Sequence, residues 1–312
     1  MKVKKLNILS FIFSPLVLFL ILFFSGCESR YDKLDLSLYK YRDTRKLVKF
    51  VYNAYQILEK EGLASLNFFK DNRDRFQTED MYLYIYDFDG NNLFHAGLKH
   101  LEGENLREVV DKDGKNIFSM IMQALADEDN PHSWVHFSWF EPGKFYPVPK
   151  SSCHFKVKTP AGREIFVGGG LDYPQEEQEF IRIVVDSAVE LIKHKGRNAF
   201  PEIADPLSIY SYREVRVFAF GANDNILISP VLADSTLKID LLDCSDEVGH
   251  KPFQKALENL ERNDSTWEIF MAKTRYQRLP TKKCLYLRKL ELPGGTIYVG
   301  AVTDLPQPPW TG

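Results

Sequence analysis

The two halves of this chain read as one unit written twice. FVYNAYQILEKEG (50–62) can be laid on VVDSAVELIKHKG (184–196) at an offset of 134, and the same offset puts Phe218 on Tyr84 and Leu227 on Leu93. Gly249 falls on Gly114, Trp267 on Trp134, Lys283 on Lys150 and Val299 on Val167, at offsets of 135, 133, 133 and 132. A repeat of this length is a duplicated domain rather than a solenoid, and it settles the architecture before any single motif does. The sequence therefore divides into modules over 36–173 and 174–312, each long enough to hold its own core.

Within each module the hydrophobic period changes in the same order. Leu47, Val51, Ala54, Tyr55 and Leu58 recur at helical spacing and predict a helix over 36–61 stopped by Gly62. Phe180, Val184, Ala188, Leu191 and Ile192 predict its counterpart over 175–195. A charged, non-periodic loop is expected over 67–79. Tyr82, Tyr84 and Tyr86 then alternate with Leu83 and Ile85 before the turn residues Asp89-Gly90-Asn91-Asn92, the pattern of a β-hairpin. Val217 and Ala219, alternating with Phe218 and Phe220 ahead of Asn223-Asp224-Asn225, repeat it. A short helix with Phe118, Ile121, Met122 and Leu125 on one face and strands over 134–139, 152–158 and 163–170 complete the first module.

The first 26 residues are of another kind. Lys2, Lys4 and Lys5 precede an apolar run from Ile8 to Phe24, which is 17 residues, short for a span of about 20 and suited to a signal peptide. Ser25-Gly26 directly before Cys27 resembles a bacterial lipobox, with Phe24 where leucine is commoner. The resemblance implies a lipoprotein signal peptide over 1–26, acylation of Cys27 (palmitate among the chains added), and a polar tether over 27–35. The rest of the chain is then expected outside the cytoplasm, held to the bilayer by lipid. Glu28, rather than aspartate, after that cysteine favours the outer membrane in a cell with two membranes. No later stretch is apolar enough to span a bilayer, so any output is expected to run through a membrane partner.

Composition narrows the function classes. With 44% hydrophobic and 27% charged residues the chain is globular, and a formal charge of -3 with pI near 6.2 offers no basic face for nucleic acid. Cys153, Cys244 and Cys284 allow at most one disulfide and show no metal-ligand spacing. His132 and His136 share a strand face but lack a third ligand. Asp87-Phe-Asp-Gly90 and Asp111-Lys-Asp-Gly114 look like calcium loops until Ile85 and Val109 fall at position one, where a carboxylate is required. Gly168 to Gly170 follow a strand, yet Tyr173 breaks the dinucleotide fingerprint. No catalytic motif stands out, so no enzyme activity and no cofactor are expected.

Tyr82-Leu-Tyr-Ile-Tyr-Asp-Phe-Asp-Gly90, His95, Gly103-Glu-Asn-Leu106, Asp111-Lys-Asp-Gly114 with Phe118, Trp134-Val-His-Phe-Ser-Trp139, Pro149-Lys150 and Val167-Gly-Gly-Gly170 follow one another in a telling order. That order resembles the Cache family of extracytoplasmic sensor domains, of the single-Cache type found in bacterial chemoreceptors and sensor kinases. The fold this implies is α+β: two tandem PAS-like domains, each a long N-terminal helix on a five-stranded antiparallel sheet. A small-molecule pocket is expected between the other sheet face and a loop–helix cover. In such domains the lysine at the strand start often meets the carboxylate of a small organic acid or amino acid. The resemblance thus implies Lys150, with Tyr82, Tyr84, His95, Phe137 and Trp139, as ligand-binding residues in the first module. Phe218, Lys283 and Tyr286 take that part in the second, where Ser229-Pro230 replaces the histidine and Ala272 replaces Trp139.

Each residue also has a plainer explanation. Most lysines at strand ends are solvated, aromatic stripes at period two usually form sheet core, and the indoles of Trp134 and Trp139 suit packing. The cations Lys273, Arg275, Arg278, Lys282, Lys283, Arg288 and Lys289 form either a solvated hairpin face or a docking patch for an acidic partner or anionic lipid. The expected function is an anchored small-molecule sensor signalling through a membrane receptor, kinase or cyclase. The alternatives are an interaction lipoprotein with degenerate Cache folds and a solute-binding feeder for a transporter.

Overall fold

The computed structural model describes residues 34–78, 81–126, 132–140, 146–172, 177–213, 215–222, 226–229, 241–246, 248–272 and 279–305. The signal segment, Cys27 and the 173/174 boundary lie outside them. The residues from Leu36 onward belong to one compact unit. The first module runs through helix α1 (Arg42–Glu61), a short α2 (Leu66–Asp71), β1 (Met81–Asp87), β2 (Asn92–His95), α3 (Ile117–Leu125), β3 (Ser133–Phe140), β4 (Pro147–Lys158) and β5 (Glu164–Asp172). The second runs through α4 (Glu177–Lys195), α5 (Phe200–Ala204), the small pair β6 (Ser211–Tyr212) and β7 (Val215–Arg216), β8 (Phe218–Gly221), β9 (Ile226–Ile228), α6 (Pro252–Leu260), β10 (Ser265–Ala272), β11 (Thr281–Leu292) and β12 (Gly295–Asp304).

The duplication holds at the level of strand pairing. The first sheet has the order β2-β1-β5-β4-β3 and the second β9-β8-β12-β11-β10, both antiparallel. Tyr84 pairs with Gly168 as Phe218 pairs with Gly300; Phe137 pairs with Lys150 as Phe270 pairs with Lys283. α1 lies on β4 and β5, and α4 on β11 and β12. Both helices stop at glycines in the left-handed region, Gly62 (φ 62°) and Gly196 (φ 58°), where a Cβ would be strained. A loop is copied too. Asp111 accepts from the amides of Asp113, Lys115 and Ser138 as Asp246 accepts from those of Val248, His250 and Met271. These carboxylates are occupied by backbone amides and lock the cover loop to β3 or β10.

The structure departs from the sequence-based elements in three places. The segment 67–79 is helical in part, because Phe69 is buried against the rings of Phe76 and Phe94 at 4.7 and 5.7 Å. β4 begins five residues before Ser152, at Pro147. α1 begins at Arg42 rather than 36, and Tyr41, the residue at its N-cap, makes no side-chain capping bond. The cap comes from Glu179 on α4, whose Oε2 accepts from the amides of Lys40 (2.8 Å) and Tyr41 (2.9 Å) while Oε1 meets Arg182 at 2.7 Å. Cys153, Cys244 and Cys284 are unbridged. The basic run is not one solvated face: Lys283 pairs with Asp304, Arg288 with Asp186 and Lys289 with Glu291, and 273–278 lie outside the described residues.

Glu179→Ala leaves two amides of a helix end without their acceptor and removes one of the partners of the half-buried Arg182 guanidinium, which keeps the Leu38 carbonyl. The expected loss is about 2–3 kcal/mol, against about 1 kcal/mol for Glu179→Gln, which keeps an acceptor oxygen. Urea denaturation of the two variants measures this directly.

Candidate functional site

Antiparallel register aligns one row of side chains across the cover face of the first sheet: His95, Tyr84, Gly168, His154 and Ser133, from β2, β1, β5, β4 and β3. The glycine in the centre is a steric necessity. A Cβ on Gly168 would stand 2.4 Å from Tyr84 Cε2 and 2.6 Å from His154 Cδ2. Over the missing side chain the Tyr84 hydroxyl and His154 Nε2 meet at 2.8 Å. Gly170, one row on, leaves the same room for the Lys150 stem and Ser152.

Above this face lies a cavity of about 50 Å³, space for some three to five waters or a ligand of a few heavy atoms. Its floor is Tyr84, Tyr86, His95 and Phe166, one wall is Phe137 and Trp139 of β3, and its roof is Leu106, Val109, Ile117, Phe118 and Ile121. The roof is the loop–helix cover ending in α3. His95 Nδ1 accepts from the Leu98 amide at 2.9 Å, which assigns the remaining proton to Nε2. Burial, reinforced by the Lys150 charge, holds its pKa down to about 3. The imidazole is therefore a neutral hydrogen-bond donor at physiological pH.

Lys150 and Tyr82 occupy the adjoining rows rather than the cavity wall. The Lys150 ammonium sits 3.5 Å from the Tyr82 ring centroid, with 2% of the residue exposed, and the Tyr82 ring lies 5.0 Å from that of His95. Lys150 thus acts on the cavity through its field. On the same face, Ser133 Oγ, Ser152 Oγ and His154 Nδ1 are buried without a hydrogen-bond partner among the described residues. Buried polar atoms in this state call for water or ligand. His132 and His136 point to the helix face, bonded to Tyr39 and Ser151.

The second module fills the centre of this face with hydrocarbon, while Thr266 stands at the place of Ser133 and Lys283 at that of Lys150. Phe218 stands at the place of Tyr84, Leu287 at that of His154 and Leu285 at that of Ser152, packed under Leu241, Phe253, Ala256 and Leu260. Lys283 is bonded to Asp304 at 2.5 Å. Tyr286, three residues further along the strand, faces the opposite side, where its hydroxyl donates to Asp186 of α4 at 3.0 Å. Of the residues named from sequence, the structure brings Tyr84, His95, Phe137 and Trp139 together at the cavity, sets Lys150 and Tyr82 beside it, and places Phe218, Lys283 and Tyr286 elsewhere. Sequence reasoning expected a loop–helix cover but named none of its residues as lining the site, and it missed Tyr86 and Phe166. The helical stripe through Phe118 and Ile121 was a usable signal for the roof, whereas His154 needed the β4 register.

The family model described as Cache domain, dCache_2, matches residues 42–300. The chain belongs to the Cache domain family, and the match spans both modules. Among solved structures, one described for carboxylic acid recognition by a Cache chemosensory domain is 23% identical over 42% of this chain and 94% of its own, with a TM-score of 0.35. A methyl-accepting chemotaxis protein from Vibrio parahaemolyticus is 20% identical over 42% and 88%, with a TM-score of 0.33. The ligand-binding domain of a Pseudomonas aeruginosa amino acid chemoreceptor, solved with L-Arg, is 11% identical over 82% and 85%, with a TM-score of 0.28. No curated protein matches. Membership of the family rests on the match over 42–300.

Four buried histidines make the fold acid-sensitive. Desolvation holds His95, His136 and His154 near pKa 3 and His132 near 4. Unfolded, each takes a proton below about pH 6.5 that the folded state refuses. Stability is full above that value and falls with acidity down to the folded pKa values, by about 1.4 kcal/mol per pH unit for each histidine. Circular dichroism melts stepped from pH 7.5 to 4 are expected to show a flat region and then collapse near pH 5; a melting temperature constant to pH 4 contradicts the buried neutral histidines.

Proposed function

We propose that this protein is an extracytoplasmic small-molecule sensor whose first module binds the ligand and whose second module is a structural relay. One observation carries the reading: two sheets of identical register differ on the cover face, one keeping a cavity over polar groups and the other, among the described residues, carrying a hydrophobic cluster at its centre. A neutral His95 donor, phenols on the floor, apolar walls and the nearby Lys150 charge suit a short organic acid or amino acid. Neutral histidines in an apolar enclosure suit binding rather than catalysis.

A sensor needs an element that both ligand and output can bias. Lys115 stands two residues before α3 and is buried; its ammonium donates to Ser211 Oγ at 2.7 Å and to the carbonyls of Ser211 and His136. The roof of the cavity is thereby tied to β6 of the second module. Burial, with Arg216 nearby, lowers the Lys115 pKa to about 8. Among the described residues no helix is long and apolar enough to cross a membrane. Anchoring through an acylated Cys27 and a receptor, kinase or cyclase partner in the membrane are the parts of the proposal that the lipobox-like sequence supports. The hydrophobic cluster on the cover face of the second module also favours an interaction role for that half.

Thermal unfolding of the 28–312 chain against short carboxylates, amino acids and amines tests the binding. A ligand at a hundred times its Kd stabilises by about 2.7 kcal/mol, a shift of several degrees. The shift is expected to vanish in His95→Ala, weaken in Lys150→Ala and persist in Lys283→Ala; loss in Lys283→Ala alone would reverse the assignment of modules. For the anchor, Cys27→Ser is expected to abolish metabolic labelling by a palmitate analogue and to release the chain from the membrane fraction.

A further inference from the structure

Repeat symmetry exposes a surface that the first module covers and the second does not. On the helix face of the first sheet, the edge strand β3 presents Trp134 and His136, which are 8% and 2% exposed. They are sealed by the start of α4 and by β6. The Phe180 ring lies 5.3 Å from Trp134 and 5.4 Å from His136, Tyr212 lies 4.9 Å from His136, and the Trp134 indole donates to the Tyr39 hydroxyl at 3.0 Å. The corresponding pair on the edge strand β10 is Trp267 and Ile269, paired with Tyr286 and Cys284 as their counterparts are paired with Cys153 and Ser151. These are 38% and 53% exposed.

We propose that this strip of β10 is a docking surface for an acidic amphipathic helix of a partner protein, seated as the first turns of α4 are seated on β3. Three features define the occupant. Its form follows from the first module, where the first turn of α4 lays Phe180 across both residues of the equivalent strip, with Tyr212 and Tyr39 at its margins. Its apolar side follows from Trp267, stacked on Tyr286 with ring centroids 4.4 Å apart, and from Ile269, an exposed hydrophobic pair on an open sheet edge. Its charge follows from the rim. Exposed Lys282 stands opposite Met271 on this face, while the Asp186 carboxylate on the same side is already neutralised by Arg288 at 2.7 Å. Glu268 points to the other face, bonded to Asn259. Two copies of this chain meeting on the strip would oppose like charges, so a second copy is the poorer fit.

The surface is independent of the cavity, and its test does not read ligand binding. The photo-reactive residue p-benzoyl-phenylalanine is placed at position 267 in the full chain, expressed in the cells the protein comes from, and the adducts are mapped by mass spectrometry. Position 255, exposed on α6, serves as control. The expected result is an adduct with a different polypeptide, on a helical segment with net negative charge and an aromatic residue. Its yield should fall about tenfold on adding Ile269→Glu and also fall at high salt, while the Ile269→Glu chain melts as the parent does. Adducts only with a second copy of this chain, only with lipid, or on a basic or non-helical segment overturn the proposal. So does a yield no higher than at position 255.

Discussion

Side-chain alternation along the central strand of each sheet is the constraint on which the rest depends. β5 and β12 each sit between two partners, and their register assigns every neighbouring residue to the helix face or to the cover face. A slip by one residue would turn Tyr84, His154 and Lys150 towards α1 and bring Leu83 and Cys153 under the cover. Gly168 stabilises the register from both sides. Only a residue without Cβ lets Tyr84 and His154 meet above the strand, and only in this register does that residue lie between them.

Given one backbone, the two modules differ by what occupies it. The first carries hydroxyls, imidazoles and an ammonium on a buried face, a costly choice unless water, a ligand or one another satisfies them. The second carries phenylalanine and leucine at the same places and seats α6 on them as an ordinary core. Duplication thus supplied two equal scaffolds, of which one keeps several polar groups on its buried face while the other, among the described residues, keeps chiefly Lys283, already paired with Asp304.

The modules are also joined through polar groups rather than by a simple linker. Glu179 on α4 caps α1 from 138 residues away, and Lys115 bridges the cavity roof to β6. Both are buried charges with several partners, arrangements that are strong when complete and costly when one partner is lost. They make the position of one module a condition for the satisfaction of the other.

Much of the fold was legible in the sequence because periodicity and repetition are local signals. The offset near 134 and the hairpin alternation identify two α+β modules, and the order of motifs carries the family. Helix α1 was legible in its stripe and in Gly62, but not in its start, since its cap belongs to Glu179. Segment 67–79 looked like loop because the rings that hold Phe69 come from Phe76 and Phe94. For the site, Tyr84 and His95 could be named from one hairpin. Which lysine neighbours the cavity, that Tyr286 faces away from Lys283, and that His154 meets Tyr84 are decided by strand register between distant segments. Sequence by itself determined the elements, their duplication and their kind; tertiary pairing alone decided which polar side chains share a face, because that depends on the parity of residues between strands that local pattern does not encode.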